Sequence, residues 1–107
     1  MQLNIFIDGR QHPISVDGAL ISDSEEFFSK LDDDMSKGWQ VGREWIEQPT
    51  PENYCQIIAE RMVTAFEHDN RPMYMMMAAY LLSRKPGLVS INIPTDGEIQ
   101  ETEFIVE

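Results

Sequence analysis

Met73-Tyr74-Met75-Met76-Met77-Ala78-Ala79-Tyr80-Leu81-Leu82 is the longest apolar run in the chain, and it carries no charge on any side. A helix that is apolar all round must be covered all round. This segment is therefore expected to be the central core element. Working outward, Thr50 to Arg84 reads as two helices joined by a turn at His68-Asp69-Asn70. Thr50 suits an N-cap, and Pro51 suits the first helical position, where its missing N–H costs nothing. Tyr54, Ile57, Ile58, Met62, Ala65 and Phe66 then form one apolar face, with Glu52, Gln56, Glu60 and Glu67 on the other. Pro72 starts the second helix, Arg84 and Lys85 favour its C-terminal dipole, and Pro86-Gly87 ends it. A turn this short joins antiparallel neighbours, so the pair is a helical hairpin. The small Ala78 and Ala79 permit close approach of another element, and the methionines fill irregular gaps around them.

Period-two stretches flank this helical middle. Leu3, Ile5 and Ile7 alternate with Gln2, Asn4 and Phe6, as in a half-buried strand. Asp8-Gly9 suits a type I′ turn, whose two central residues need φ > 0. A second strand follows from about Gln11 to Val16, and Pro13 places it at a sheet edge or a bulge. Asp17-Gly18 ends it. At the other end of the chain, Val89, Ile91 and Ile93 alternate with Ser90 and Asn92. Thr95-Asp96-Gly97-Glu98 then repeats the Asp-Gly turn, and Ile99 to Val106 reads as a last strand with Glu101 and Glu103 on its wet face.

Between these parts, Ser22 and Glu25 have capping-box spacing. Phe27, Phe28, Leu31 and Met35 follow at helical spacing, predicting a helix from about Asp23 to Lys37 stopped by Gly38. Asp32, Asp33 and Asp34 lie mostly off that stripe. Trp39 to Gln48 has apolar bulk in Trp39, Val41, Trp45 and Ile46 without a clean period, and a short helix through Arg43–Glu47 fits it. The two tryptophans either cap one end of the core or expose an aromatic anchor, since Trp is enriched at binding hot spots.

The order β-β-α-(short element)-α-α-β-β predicts the α+β class. The expected architecture is an antiparallel sheet of two terminal β-hairpins, packed against the helical hairpin and the additional N-terminal helix. The 107 residues suit one domain over 1–107, with 42% hydrophobic and 25% charged residues.

Composition narrows function more than any motif does. Nineteen acidic against 8 basic residues give a net charge of −11. Arg10, Lys30, Lys37, Arg43, Arg61, Arg71, Arg84 and Lys85 are scattered, so the basic stripe that tracks phosphates is missing. Nucleic acid and anionic membranes are disfavoured as partners, and a basic protein is favoured. Cys55 is the one cysteine, which fits a reducing compartment. Met1 is followed by Gln2-Leu3-Asn4-Ile5 with no export signal, and the Met73–Leu82 run is shorter than the roughly 20 residues a bilayer requires. A cytoplasmic location is expected.

Catalytic and metal-binding patterns fail on inspection. An EF-hand loop opening at Asp32 would need Gly sixth and Glu twelfth, where Lys37 and Arg43 stand. Met73, Met75, Met76 and Met77 read as core rather than as soft-metal ligands. Cys55 borders an apolar face and reads as an inert thiol; within its own helix it cannot meet His68, about 20 Å away at 1.5 Å per residue, and only His12 could partner it. His68 reads as an ordinary turn histidine. No G-x-S-x-G, P-loop, G-x-G-x-x-G or H-E-x-x-H pattern occurs. The expectation is a non-catalytic interaction, adaptor or regulatory protein without cofactor or metal. Its candidate partner-binding residues are Trp39, Trp45, Asp32, Asp33 and Asp34. The alternative is a small-molecule binder or small enzyme, with a site between sheet and helical hairpin lined by Tyr54, Tyr74, Tyr80 and methionines.

Overall fold

A computed structural model describes residues 1–94 and 96–107. It is α+β, with four α-helices, one four-stranded sheet and one two-stranded sheet among the described residues. Strands β1 (Gln2–Ile7) and β2 (Arg10–Ser15) form the predicted hairpin. Its turn places Asp8 at φ 52° and Gly9 at φ 80°, the left-handed pair that a type I′ turn requires. Leu3, Ile5 and Ile7 are buried, and the residues between them are half-buried.

The helical hairpin also forms as the sequence predicts. Helix α3 (Pro51–Glu67) opens on a capping box: Asn53 N–H donates to Thr50 Oγ1 at 3.2 Å, and Thr50 N–H donates to Asn53 Oδ1 at 2.9 Å. Helix α4 (Arg71–Arg84) is covered on every side, with Met77, Ala78, Ala79, Tyr80 and Leu81 fully buried. Each large side chain so buried contributes roughly 1.5–3 kcal/mol relative to exposure. Helix α4 packs against α3 and against α1 (Gly18–Asp23), and its core residues join those of β1 and β5 (Leu88–Ile93) in one cluster.

The sheet departs from the expected antiparallel arrangement. Its order is β2-β1-β5-β6, and the central pair β1–β5 is parallel, with Asn4 opposite Ser90 and Ile7 opposite Ile93. The sheet is therefore mixed. The described helices between β2 and β5 bring the chain back to the end of the sheet where β1 begins, which lets β5 run alongside β1. Strand β6 (Glu103–Val106) is antiparallel to β5 and shorter than expected. Ile99–Glu101 forms a 3-10 turn instead of strand, and Ile99 and Thr102 bury themselves. Gly97 is not in the positive-φ region, so the second Asp-Gly pair does not repeat the first turn; Thr95, part of that predicted turn, lies outside the described residues.

Two further corrections concern the middle of the chain. Asp17 does not simply end a strand: its side chain accepts from Ala19 N–H at 3.0 Å and caps α1. The Ser22 hydroxyl is spent inside α1, on the carbonyls of Gly18 and Ala19. Helix α2 (Glu25–Ser36) therefore starts after Ser24, without the predicted capping box. Trp39 to Gln48 holds no helix. It forms a second, small sheet of β3 (Trp39–Val41) and β4 (Glu44–Ile46).

Edge strand β2 shows how its proline is tolerated. Met1 and Val16 exchange both backbone hydrogen bonds, at 2.6 and 2.7 Å. Alternation along an antiparallel pair then makes Leu3–Ile14 and Ile5–His12 bonded pairs and Asn4–Pro13 an unbonded one. The nitrogen of Pro13 faces away from β1, where no ladder bond is lost.

Candidate functional site

The three aspartates of α2 have different fates. Asp32 is half-buried and turned toward α4, whereas Asp33 and Asp34 are exposed. Tyr80 donates its hydroxyl hydrogen to Asp32 Oδ1. Arg84 Nε and Nη2 both donate to Asp32 Oδ2, at 3.1 and 2.9 Å, and Arg84 Nη1 reaches Glu25 at 3.0 Å. The Arg84 guanidinium also lies 5.1 Å from the Tyr80 ring centroid and 5.8 Å from that of Phe28. Burial opposes the Arg84 charge, but the bonds and charges of Asp32 and Glu25 outweigh it and hold its pKa above the ordinary arginine value. For Tyr80, burial first and then Asp32 push the phenol upward. Both oxygens of Asp32 are thus taken by groups of its own fold. The cluster ties α2 to the C-terminal end of α4.

Cys55 lies beside this cluster, in a cleft of about 270 Å³ shared with Asp32, Tyr54, Arg84 and Lys85. Lys85 Nζ is paired with Glu52 at 2.8 Å and lies 4.7 Å from the Phe104 ring centroid. The two cations of the cleft are therefore already neutralised. Burial pushes the Cys55 thiol up to about 11, so almost no thiolate exists near neutral pH. His12, its only conceivable partner from the sequence, instead packs on Phe66 with 4.6 Å between ring centroids. His68 Nδ1 lies 2.9 Å from the Thr64 carbonyl oxygen, a local helix-end bond. Among the described residues no three His, Cys, Asp or Glu side chains converge to hold a metal ion. No described helix is long and apolar enough to cross a membrane.

The tryptophans take opposite sides of the β3–β4 hairpin. Register pairs Trp39 with Ile46 and Gln40 with Trp45. Trp39 is half-buried against the core beside the fully buried Val41, while Trp45 points outward and is 58% exposed. Trp45 is nonetheless held. A Cβ built on Gly38 would stand 2.8 Å from Trp45 Cζ2, and Gly38 sits at φ 110°. Only glycine offers both that conformation and that clearance, so the indole rests on the backbone at the end of α2. The hairpin is braced from below: Gln100 Nε2 donates to the Val41 carbonyl at 3.1 Å, and Arg43 pairs with Glu98 at 3.3 Å. Glu44 and Glu47 flank the indole in sequence and are exposed.

Of the predicted site residues, then, Trp45, Asp33 and Asp34 are surface groups, whereas Trp39 and Asp32 are packed inward. The predicted tyrosines do not gather in one site. Tyr54 and Tyr80 border the Cys55 cleft, and Tyr74 borders a separate groove beside β2. The sequence places Phe66 on the apolar face of α3, but it is 40% exposed. It occupies the last turn of α3, where the His12 and Tyr74 rings flank it. The convergence of Glu25, Asp32, Tyr80 and Arg84 was not foreseen, because no local pattern signals a contact across some fifty residues. No family model matches the chain, and no curated protein or solved structure gives a match to it.

Proposed function

We propose that the protein is a non-catalytic interaction module, an adaptor or regulatory subunit of the cytoplasm, which presents Trp45 to a basic protein partner. The observation that carries this reading is the Trp45 indole, 58% exposed yet seated on Gly38. A large aromatic held in place before binding loses little conformational freedom on contact, which is the usual character of an interface anchor. The surroundings suit a cationic partner. Glu44 and Glu47 adjoin Trp45, the exposed Asp33 and Asp34 lie on the helix leading into the hairpin, and the net charge is −11. An arginine of the partner could stack on the free face of the indole while its charge meets these carboxylates. Asp32 acts from behind by fixing α2, and Trp39 roots the hairpin in the core.

Site-specific photocrosslinking inside cells tests this. A photoreactive residue at position 45 should give a discrete adduct of defined mass, weakened by Glu44→Lys/Glu47→Lys. The same residue at position 30, exposed on α2, should not. An identical smear from both positions would remove the reading.

A further inference from the structure

A second site, whose lining shares no residue with the Trp45 hairpin, lies beside edge strand β2. Edge strand β2, the last turn of α3 and the first turn of α4 enclose a groove of about 380 Å³, within the usual range for small-molecule sites. Three rings wall it in series: His12 to Phe66 at 4.6 Å between centroids, and Phe66 to Tyr74 at 5.7 Å. The exposed face of Phe66 is thus part of an aromatic wall, not an isolated apolar residue.

Two polar groups there lack partners among the described residues. Tyr74 is only 8% exposed, and its hydroxyl makes no hydrogen bond among the described residues. No buried side-chain nitrogen or oxygen among them is unsatisfied, so this hydroxyl keeps contact with solvent, and Tyr74 lines the groove. Arg71 also lines the groove, and its guanidinium has no ion pair or hydrogen bond among the described residues. The Arg71 charge is felt at the Tyr74 phenol, which burial pushes upward and Arg71 pulls back. Arg71 and Tyr74 both line the groove and stand three residues apart on α4, which puts them on one face of the helix. In a chain of 19 acids and 8 bases, a cation without an ion pair among the described residues, in one groove with the unpartnered hydroxyl of a buried tyrosine, is the arrangement of an anion receptor.

We propose that this groove binds a small aromatic monocarboxylate, its ring against Phe66 and its carboxylate between Arg71 and the Tyr74 hydroxyl. Guanidinium and phenol both donate to a carboxylate, and the guanidinium can do so bidentately. Asp69 borders the same groove and repels a second negative charge, which favours a carboxylate over a phosphate monoester. An extended peptide added to β2 fits less well. Pro13 occupies the middle outward position of that edge and offers no N–H, so strand addition would lose its central bond.

Titration of ¹⁵N-labelled protein with phenylacetate tests the proposal, with phenylacetamide, cyclohexylacetate and phenyl phosphate as comparisons. Phenylacetate is expected to shift the amide signals of residues 11–15 and 65–74, with Kd at or below about 1 mM, near −4.1 kcal/mol. Each comparison compound should bind at least about tenfold more weakly, a difference of 1.4 kcal/mol. Arg71→Gln should weaken phenylacetate to a similar degree while leaving the rest of the spectrum in place, and Tyr74→Phe should weaken it less. Absence of saturable shifts, shifts centred elsewhere, equal binding of phenylacetamide, or an Arg71→Gln variant that binds as tightly as the parent would each overturn the assignment. Tighter binding of phenyl phosphate would do so as well.

Discussion

The two ends of α4 treat an arginine in opposite ways. At the C-terminal end Arg84 is enclosed: two carboxylates and the rings of Phe28 and Tyr80 surround it. At the N-terminal end Arg71 stands at a groove without a partner among the described residues. The difference is not a matter of supply, because acids outnumber bases by more than two to one. A charge that is paired and half-buried is a fastening, since taking it from water is compensated only by the groups that meet it. A charge left free among so many carboxylates contributes little to the fold and is available to something else. The tryptophans repeat the contrast on a smaller scale: Trp39 roots the β3–β4 hairpin and Trp45 stands on top of it.

The sharpest way to break this comparison is at Tyr80, which belongs to the core and the fastening at once. Tyr80→Ala should cost about 3–5 kcal/mol in urea unfolding, the range for large aromatic truncations. A loss below 1 kcal/mol would mean that the enclosed end is not the rigid one. Asp32→Ala comes next, with about 1–3 kcal/mol expected from an unsatisfied phenol and a partly unpaired guanidinium. Asp33→Ala should be near neutral, because its ion pair to Lys37 is exposed. For the tryptophans, thermal unfolding of Trp39→Ala should show the larger loss, about 1–3 kcal/mol. Trp45→Ala should cost less, and equal losses would erase the distinction between root and tip. Arg71→Gln should change stability by less than about 0.5 kcal/mol; a loss comparable to that of Asp32→Ala would show that Arg71 fastens the fold too.

Cys55 gives a pH test of the enclosed end. Its folded pKa is raised from 9.0 to about 11, so between those values the unfolded chain has lost the proton and the folded one has kept it. Stability should therefore be intact below about pH 9 and decline as pH rises toward 11. Alkylation of the native protein by iodoacetamide should be slow at pH 8 and accelerate only above about pH 10. Rapid labelling at pH 7 would mean that the cleft opens.

How far the sequence could be read follows from the range of each interaction. The helical hairpin is local. Thr50, Pro51 and Pro72 mark its helix starts, and the apolar run from Met73 to Leu82 states its own burial. Strand β1 is equally plain, with Asp8-Gly9 fixing its turn. Parallel pairing with β5 was not visible, because Val89, Ile91 and Ile93 alternate identically whichever way their neighbour runs. Strands β3 and β4 have three residues each, too few for a period to emerge. In so short a hairpin alternation sends one tryptophan to each face and does not say which. The aspartate run has a similar limit: successive helix residues point about 100° apart, so one of the three meets α4, and which one depends on where Arg84 lies. The unpartnered state of Arg71 is the least legible feature, since it depends on where every carboxylate ends up.

The parallel pairing at the centre of the sheet also bears on how the chain matures. Asn4 finds Ser90 only after all four helices have been laid down. A nascent chain leaving a ribosome can close the first hairpin at once, yet Ile5 and Ile7 must wait for β5 before their second flank is covered. Such distant closure carries an entropic cost that slows folding. During synthesis the open side of β1 is the surface a chaperone, or another unfinished copy, would meet first.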